Sequence, residues 1–391
     1  MKKVDLDRIN LQRLKMGETP LVLKRTEYEA PRIEDGYLVD NEGNKIGTKG
    51  DMYTKQIMDH ILQNGCLDHD PRPHYEDFYE GATYDEKTNT ITTSDGQEIK
   101  VGEKESAHVV PNGVKLWVPA HTLSVNSGVE CTYDLSKGES PLTTLRPIAT
   151  KASVAEILWI YQKESNDLVT FDELLGKNTW DDNQKINNWW FDWAIREGED
   201  FVLNEDGHPT IGSCYGETVR LRHMLKKDVI EAIKKNPDGR RNITCLWQVD
   251  DFEKPHGLKP CAFLTIWNVR HGWDDVDYLD MTLVQRSSDF ATAGCINQVQ
   301  YVALQKMVAQ SLGLTPGTFT WKPVNIQIYD RHIDQTIEML NREPITCKAE
   351  ITVNPEITEF DDFKPDDVKI NGYPREKIKE KNPQFTFPLG I

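Results

Sequence analysis

Long apolar runs are missing from this chain of 391 residues, and no stretch nears the ~20 apolar residues that cross a bilayer as a helix. A membrane-spanning protein is therefore not expected. The first residues, MKKVDLDRINLQRLK, carry basic charge with no apolar segment behind it, so a secretory leader is not expected either. A surplus of positive charge is also lacking: 46 Lys and Arg face 63 Asp and Glu, a net charge of −17. A general nucleic-acid binder needs a broad basic surface; that class is excluded, whereas a local basic pocket for one phosphate is not. The seven cysteines (66, 131, 214, 245, 261, 295 and 347) are scattered, odd in number and without a CxxC pair. This spacing argues against a zinc ribbon or a disulfide framework. It makes a reducing cytoplasm the expected setting, with no resident metal.

What is present divides into an irregular first part and a more regular second part. Residues 1–50 are polar, with turn signals at Glu34-Asp35-Gly36 and Asn41-Glu42-Gly43-Asn44, and are expected to form an extension with one hairpin. Residues 52–64 place Ile57, Ile61 and Leu62 on one helical face, with Gly65 at the stop position. From about Asp70 to Asn112 the chain reads as a charged, loop-like excursion with a hairpin signal at Ser94-Asp95-Gly96. Ala152 to Tyr161 is apolar nearly all round, which predicts a buried helix. Strand-like β-branched and aromatic content marks residues 243–249, 262–269, 278–285 and 324–329, and a long helix is expected over 297–312. The class is α+β, a large mixed sheet packed with long helices.

One cysteine stands apart. Cys261 follows Pro260 at the head of a strand-like run, 25 residues before Arg286 in the stretch Gln285-Arg286-Ser287-Ser288-Asp289. A thiol near a guanidinium and a hydroxyl suggests a nucleophile beside an anion site, because nearby cations favour the thiolate. A planar guanidinium suits phosphate oxygens. Glu156, an acid inside an otherwise apolar helix, is costly to bury without a purpose, unless it takes that helix's single exposed face.

The constellation Pro260-Cys261, Gln285-Arg286-Ser287-x-Asp289 and Asn297 resembles the thymidylate synthase family. Asn236 to Arg241, Val324 to His332, Asn341 to Pro344, Phe363 to Tyr373, Glu156 to Trp159, Trp190 with Trp193, and Tyr215-Gly216 are similar to further segments of that family. The resemblance implies its fold over residues 51–391, with 1–50 as an N-terminal extension and an insertion around 74–112. It implies Cys261, Glu156 and Tyr215 as the catalytic set. Deoxyuridylate (dUMP) would be held by Arg286, Ser287, Asn297, Tyr329 and Gln285, with Arg72 as a weaker contact. Methylenetetrahydrofolate would be the co-substrate, met by Asp289, Trp190 and Trp193, although both tryptophans also suit a plain core. A sheet-mediated homodimer follows from the same resemblance, with Arg240 and Arg241 reaching into the partner's site; an Arg-Arg pair can equally be a solvated surface. Asn297 can donate and accept, which matches O4 and N3–H of uracil, and it can also cap a helix.

Four positions depart from the family's pattern: Ala262, Gln327 and Ala149 stand where histidines are usual, and Ala293 to Ile296 replaces a Gly-Leu-Pro approach. With the imidazoles gone, the expectation is retained addition chemistry with an altered last step. Together with the long insertions and the N-terminal extension, the divergent lining resembles that of phage-type deoxyuridylate hydroxymethylases, and this resemblance implies 5-hydroxymethyl-dUMP and tetrahydrofolate as the products. A thymidylate synthase proper is the first alternative and a non-catalytic nucleotide- or folate-binding relative the second.

Overall fold

Alternation along the strands and near-continuous burial along two helices account for most of the core. The computed structural model describes residues 2–22, 27–126, 128–177, 186, 188–191, 202–253 and 258–390. Helix α1 (Leu6–Lys15) is capped by Asp5, whose side chain accepts from Arg8 N–H. Helix α2 (Lys49–Asn64) starts three residues before the expected helix. There Thr48 and Asp51 form a capping box, each side chain accepting from the other's backbone N–H. Asp51 is fully buried and also accepts from the hydroxyls of Thr143 and Thr144 at 2.7 and 2.8 Å. Helix α3 (Thr150–Tyr161) buries ten of its twelve residues, and α4 (Cys295–Ser311) thirteen of seventeen. Helices wrapped on all sides belong in an interior.

The main sheet contains seven strands: β1 (Cys66–Leu67), β2 (Thr122–Val125), β3 (Cys131–Asp134), β4 (Asn242–Cys245), β5 (Ala262–His271), β6 (Asp277–Asp289) and β7 (Thr315–Tyr329). Their order is β4-β5-β6-β7-β2-β1, with β3 also on β7. Only β6 and β7 run parallel; a parallel pair needs a crossover, and α4 lies within it. The expected α+β class with a large mixed sheet holds. Leu279, Met281, Leu283, Phe319 and Trp321 are buried on one face of the sheet. On the other face, Ile243, Ile266, Thr282 and Thr320 align across β4 to β7, as do Cys245, Leu264, Val284 and Lys322. Ile243 and Val324 are 38% and 51% exposed.

Two expectations are corrected. Residues 70–112 are not loop-like: strands His74–Glu80, Ser106–Val110 and Gly113–Pro119 form one sheet, and Thr83–Asp85, Thr90–Thr92 and Glu98–Lys100 another. They enclose a small separate cluster of Ala82, Ile91, Val101, Val114 and Leu116. Strands with one wet face carry charge at alternate positions, and that charge disguised them. Residues 1–50 contain more than a hairpin. The Asp35-Gly36 turn is there, both residues at positive φ, but α1 precedes it, and Val4, Ile9 and Tyr28 join the main apolar core.

Candidate active site

Register places the thiol. Ala262 on β5 pairs with Gln285 on β6, and Arg286 N–H donates to Cys261 C=O at 2.9 Å. The Arg286 guanidinium then donates to the carbonyls of Pro260 (2.9 Å) and Lys259 (2.6 Å) and lies over the Trp247 ring. Burial pushes the half-buried Cys261 thiol up, while the Arg286 charge pulls it down. From the opposite side Tyr215 reaches in: its hydroxyl accepts Cys261 N–H at 3.1 Å and its ring meets Trp190 edge-on. Tyr215 sits at φ +46°, a conformation that a bulky residue keeps only when its surroundings hold it there.

Behind the thiol runs a continuous hydrogen-bonded line. Trp321 Nε1 donates to Gln285 Oε1 at 2.9 Å, and Gln285 Nε2 donates to Asn297 Oδ1 at 3.0 Å. Asn297 Nδ2 donates to Gln300 Oε1 at 3.1 Å, and Gln300 Nε2 donates to Glu156 Oε2 at 2.7 Å. Trp190 Nε1 closes the line on Glu156 Oε1 at 3.0 Å. Glu156 is 9% exposed, so the bland reading of an exposed helix face fails. Burial raises its carboxyl to about 7, against the lowering effect of its hydrogen bonds.

A carboxylate, a hydroxyl and a ring mark the far end. Asp289, at the end of β6, accepts from Thr292 Oγ1 through one oxygen, while its other oxygen is buried without a hydrogen-bond partner among the described residues. Burial raises this carboxyl as well, with the charges of His332 and Arg146 acting against it. The Ser287 hydroxyl accepts from Gln327 Nε2 at 3.1 Å. Tyr329, two residues on, donates to Gly390 C=O at 3.3 Å. A Cβ at Gly390 would stand 2.3 Å from the Tyr329 ring, so only glycine permits the C-terminal segment to lie this close.

Cys261, Tyr215, Glu156, Gln285, Arg286, Asn297 and Trp190 are thus joined through contacts, and Ser287, Asp289 and Tyr329 lie along the adjoining ends of β6 and β7. Arg72, Arg240 and Arg241 are not brought in: all three are exposed and make no ion pair among the described residues. Trp193 lies outside the described residues. The sequence reading missed Gln300, one helical turn beyond Asn297, and Trp189, which stacks on Trp190 at 4.0 Å and is 46% exposed. It also missed Arg13 of α1, which pairs with Asp330 next to Tyr329, while Tyr75 OH donates to the other Asp330 oxygen at 2.9 Å. The i,i+3 spacing of Asn297 and Gln300 was a usable signal; nothing local ties Arg13 to Asp330.

The family model described as thymidylate synthase matches residues 113–382, well over half of the chain. The chain belongs to the thymidylate synthase family. The thymidylate synthase of Lactococcus lactis subsp. cremoris is 34% identical over 345 residues, covering 88% of this chain and all of that one. The thymidylate synthase of Streptococcus gordonii is 42% identical over 267 residues, 68% of this chain and 86% of its own. Among solved structures, a thermostable thymidylate synthase A from Bacillus subtilis superposes with a TM-score of 0.62 at 28% identity, covering 88% of this chain and 99% of the other. Membership makes this a one-carbon-transferring enzyme of a family that uses deoxyuridylate and methylenetetrahydrofolate.

This finding corrects the expected hydroxymethylase: the matched relatives are thymidylate synthases. Missing imidazoles do not entail a missing reductive step. The structure shows why that inference was weak: one of those places carries a bonding amide, Gln327 donating to Ser287. Among the described residues no helix is long and apolar enough to span a membrane, and no group of three His, Cys, Asp or Glu side chains could hold a metal ion.

Proposed function

We propose that the protein is a thymidylate synthase, converting dUMP to thymidylate. The observation that carries this reading is the unbroken line from Gln285 through Asn297 and Gln300 to Glu156, which starts on the strand residue paired beside Cys261. Cys261 is the nucleophile for C6 of the uracil ring. Asn297 uses one N–H on Gln300 and one lone pair on Gln285; one donor and one acceptor remain, the complement of O4 and N3–H. Arg286 and Ser287 bind the 5′-phosphate with Arg72 as an outer contact, Gln285 steadies the base-reading amide, and Tyr329 meets the sugar hydroxyl. Glu156, titrating near neutrality, moves protons at the ring with help from Tyr215.

The residues suit a bound folate: the Asp289 oxygen without a partner among the described residues offers an acceptor for a pterin, and the Trp190 stack with Trp189 offers an aromatic wall. Trp190 and Trp193 are assigned to its wall. Methylenetetrahydrofolate supplies the one-carbon unit and the hydride. The partly apolar outer face of β4 to β7 supports a homodimer through the sheets, in which Arg240 and Arg241, exposed and without an ion pair among the described residues, complete the partner's phosphate site. Residues 51–391 form the catalytic domain, with 1–50 as the extension and 74–112 as the insertion, and the setting is cytoplasmic.

The test is product analysis with dUMP and methylenetetrahydrofolate, by mass spectrometry together with dihydrofolate absorbance. Thymidylate and dihydrofolate are expected in equal amounts. Cys261→Ser abolishes turnover while leaving dUMP binding within about three-fold; robust turnover in that variant, or no dihydrofolate from the wild type, refutes the reading.

A further inference from the structure

Gln300 is 4% exposed and spends both ends of its amide inside the site. Its oxygen accepts from Asn297 Nδ2 and its nitrogen donates to Glu156 Oε2. We propose that Gln300 is a positioning residue that couples recognition of the base to the proton-transferring carboxylate. The inference rests on the roles given to Asn297 and Glu156 above.

The coupling follows from the polarity of an amide. Asn297 reads uracil only if its oxygen and nitrogen are the right way round, and neither of its own ends prefers one orientation. Gln285 donates at one end and Gln300 accepts at the other, so the flipped amide would set donor against donor and acceptor against acceptor. Gln300 is itself fixed, because Glu156 offers only acceptors when ionised. An ionised Glu156 therefore orients Gln300, Gln300 orients Asn297, and Asn297 is left presenting the face that uracil needs. The same contact stabilises the Glu156 anion against burial. The other titratable groups facing Glu156 are Tyr215 and Tyr301, and burial keeps both phenols protonated well above their ordinary range. Trp190 Nε1 donates to the other carboxylate oxygen, and the Trp189 side chain also lowers the Glu156 carboxyl by hydrogen bonding.

Two variants separate the functions. Gln300→Leu removes both contacts. Gln300→Glu retains an acceptor for Asn297 but places a second carboxylate against Glu156. Binding of dUMP and of dCMP is measured by calorimetry without folate, and the pH dependence of turnover is followed from pH 5 to 9. Gln300→Leu should lower the preference for dUMP over dCMP by about ten-fold. It should also move the ionisation near neutrality upward by about one pH unit. Gln300→Glu should keep the preference within about two-fold while moving the ionisation upward. The proposal is overturned if Gln300→Leu leaves either quantity unchanged, or if the two variants lose discrimination alike. Glu156→Gln guards the underlying reading: if it leaves the near-neutral ionisation in place, the assignment of Glu156 is wrong. If it removes that ionisation while Gln300→Leu does not move it, only the coupling fails.

Discussion

Replacing Glu156 by Gln should weaken catalysis and yet stabilise the protein at high pH. The carboxyl is raised from about 4.5 to about 7; at ~1.36 kcal/mol per unit this is roughly 3 kcal/mol. The folded state holds the proton more tightly than the unfolded chain, so this group's contribution favours folding below about 4.5 and is lost as pH rises through about 7. An amide at this position would have no such dependence. It would keep the bond from Trp190 but oppose Gln300 Nε2 with an N–H, losing about one hydrogen bond, ~1 kcal/mol. Glu156→Gln should therefore be about 1 kcal/mol less stable than wild type near pH 4.5 and about 2 kcal/mol more stable above pH 8. Urea unfolding at the two pH values measures this directly. A stability difference that does not vary with pH would show that the buried carboxylate is not under the desolvation stress inferred from its surroundings.

Asn297→Asp should move preference toward dCMP by about ten-fold or more, since an acid can donate to N3 where the amide accepts; unchanged discrimination in a competition assay refutes the base contact. Arg13→Leu should cost about 3 kcal/mol, because among the described residues it leaves Asp330, 3% exposed, with Tyr75 and a backbone N–H. The same variant should weaken dUMP binding through the neighbouring Tyr329, and an unaltered urea midpoint would show that α1 is not pinned there. Val284→Lys puts a charge in the half-buried outer sheet face, so sedimentation should show monomers with turnover falling in parallel; an intact dimer, or active monomers, rules out the proposed sheet interface.

The chemistry was legible early because much of it lies in short runs. Cys261 with its proline and the Gln285 to Asp289 stretch are local patterns whose residue types suggest a nucleophile beside an anion site, and the family resemblance adds Asn297 as the proposed base-reading amide. The apolar periodicity of 152–161 was equally plain, since burial on all sides leaves no polar face to confuse it. The strands of 74–119 were missed because their wet faces carry charge, and α1 because its apolar residues contribute only one narrow face, led by Ile9, to a core assembled far away in sequence. The fate of the reaction was misjudged from a resemblance in lining, insertions and N-terminal extension, since missing histidines say nothing about what fills their space and added segments nothing about the last step.

By itself, then, the sequence determined the inventory: an α+β chain with a thiol, a guanidinium, an amide and an acid in an apolar helix, in a pattern that resembles the thymidylate synthase family. Tertiary structure alone decided how they act together. Glu156 and Asn297 are 141 residues apart in the chain, and only the packing of α3 against α4 lets the Gln300 amide span them. Hydrogen bonds depend on distances of a few tenths of an ångström and on which way an amide points, and neither is written in residue spacing when the partners come from distant elements.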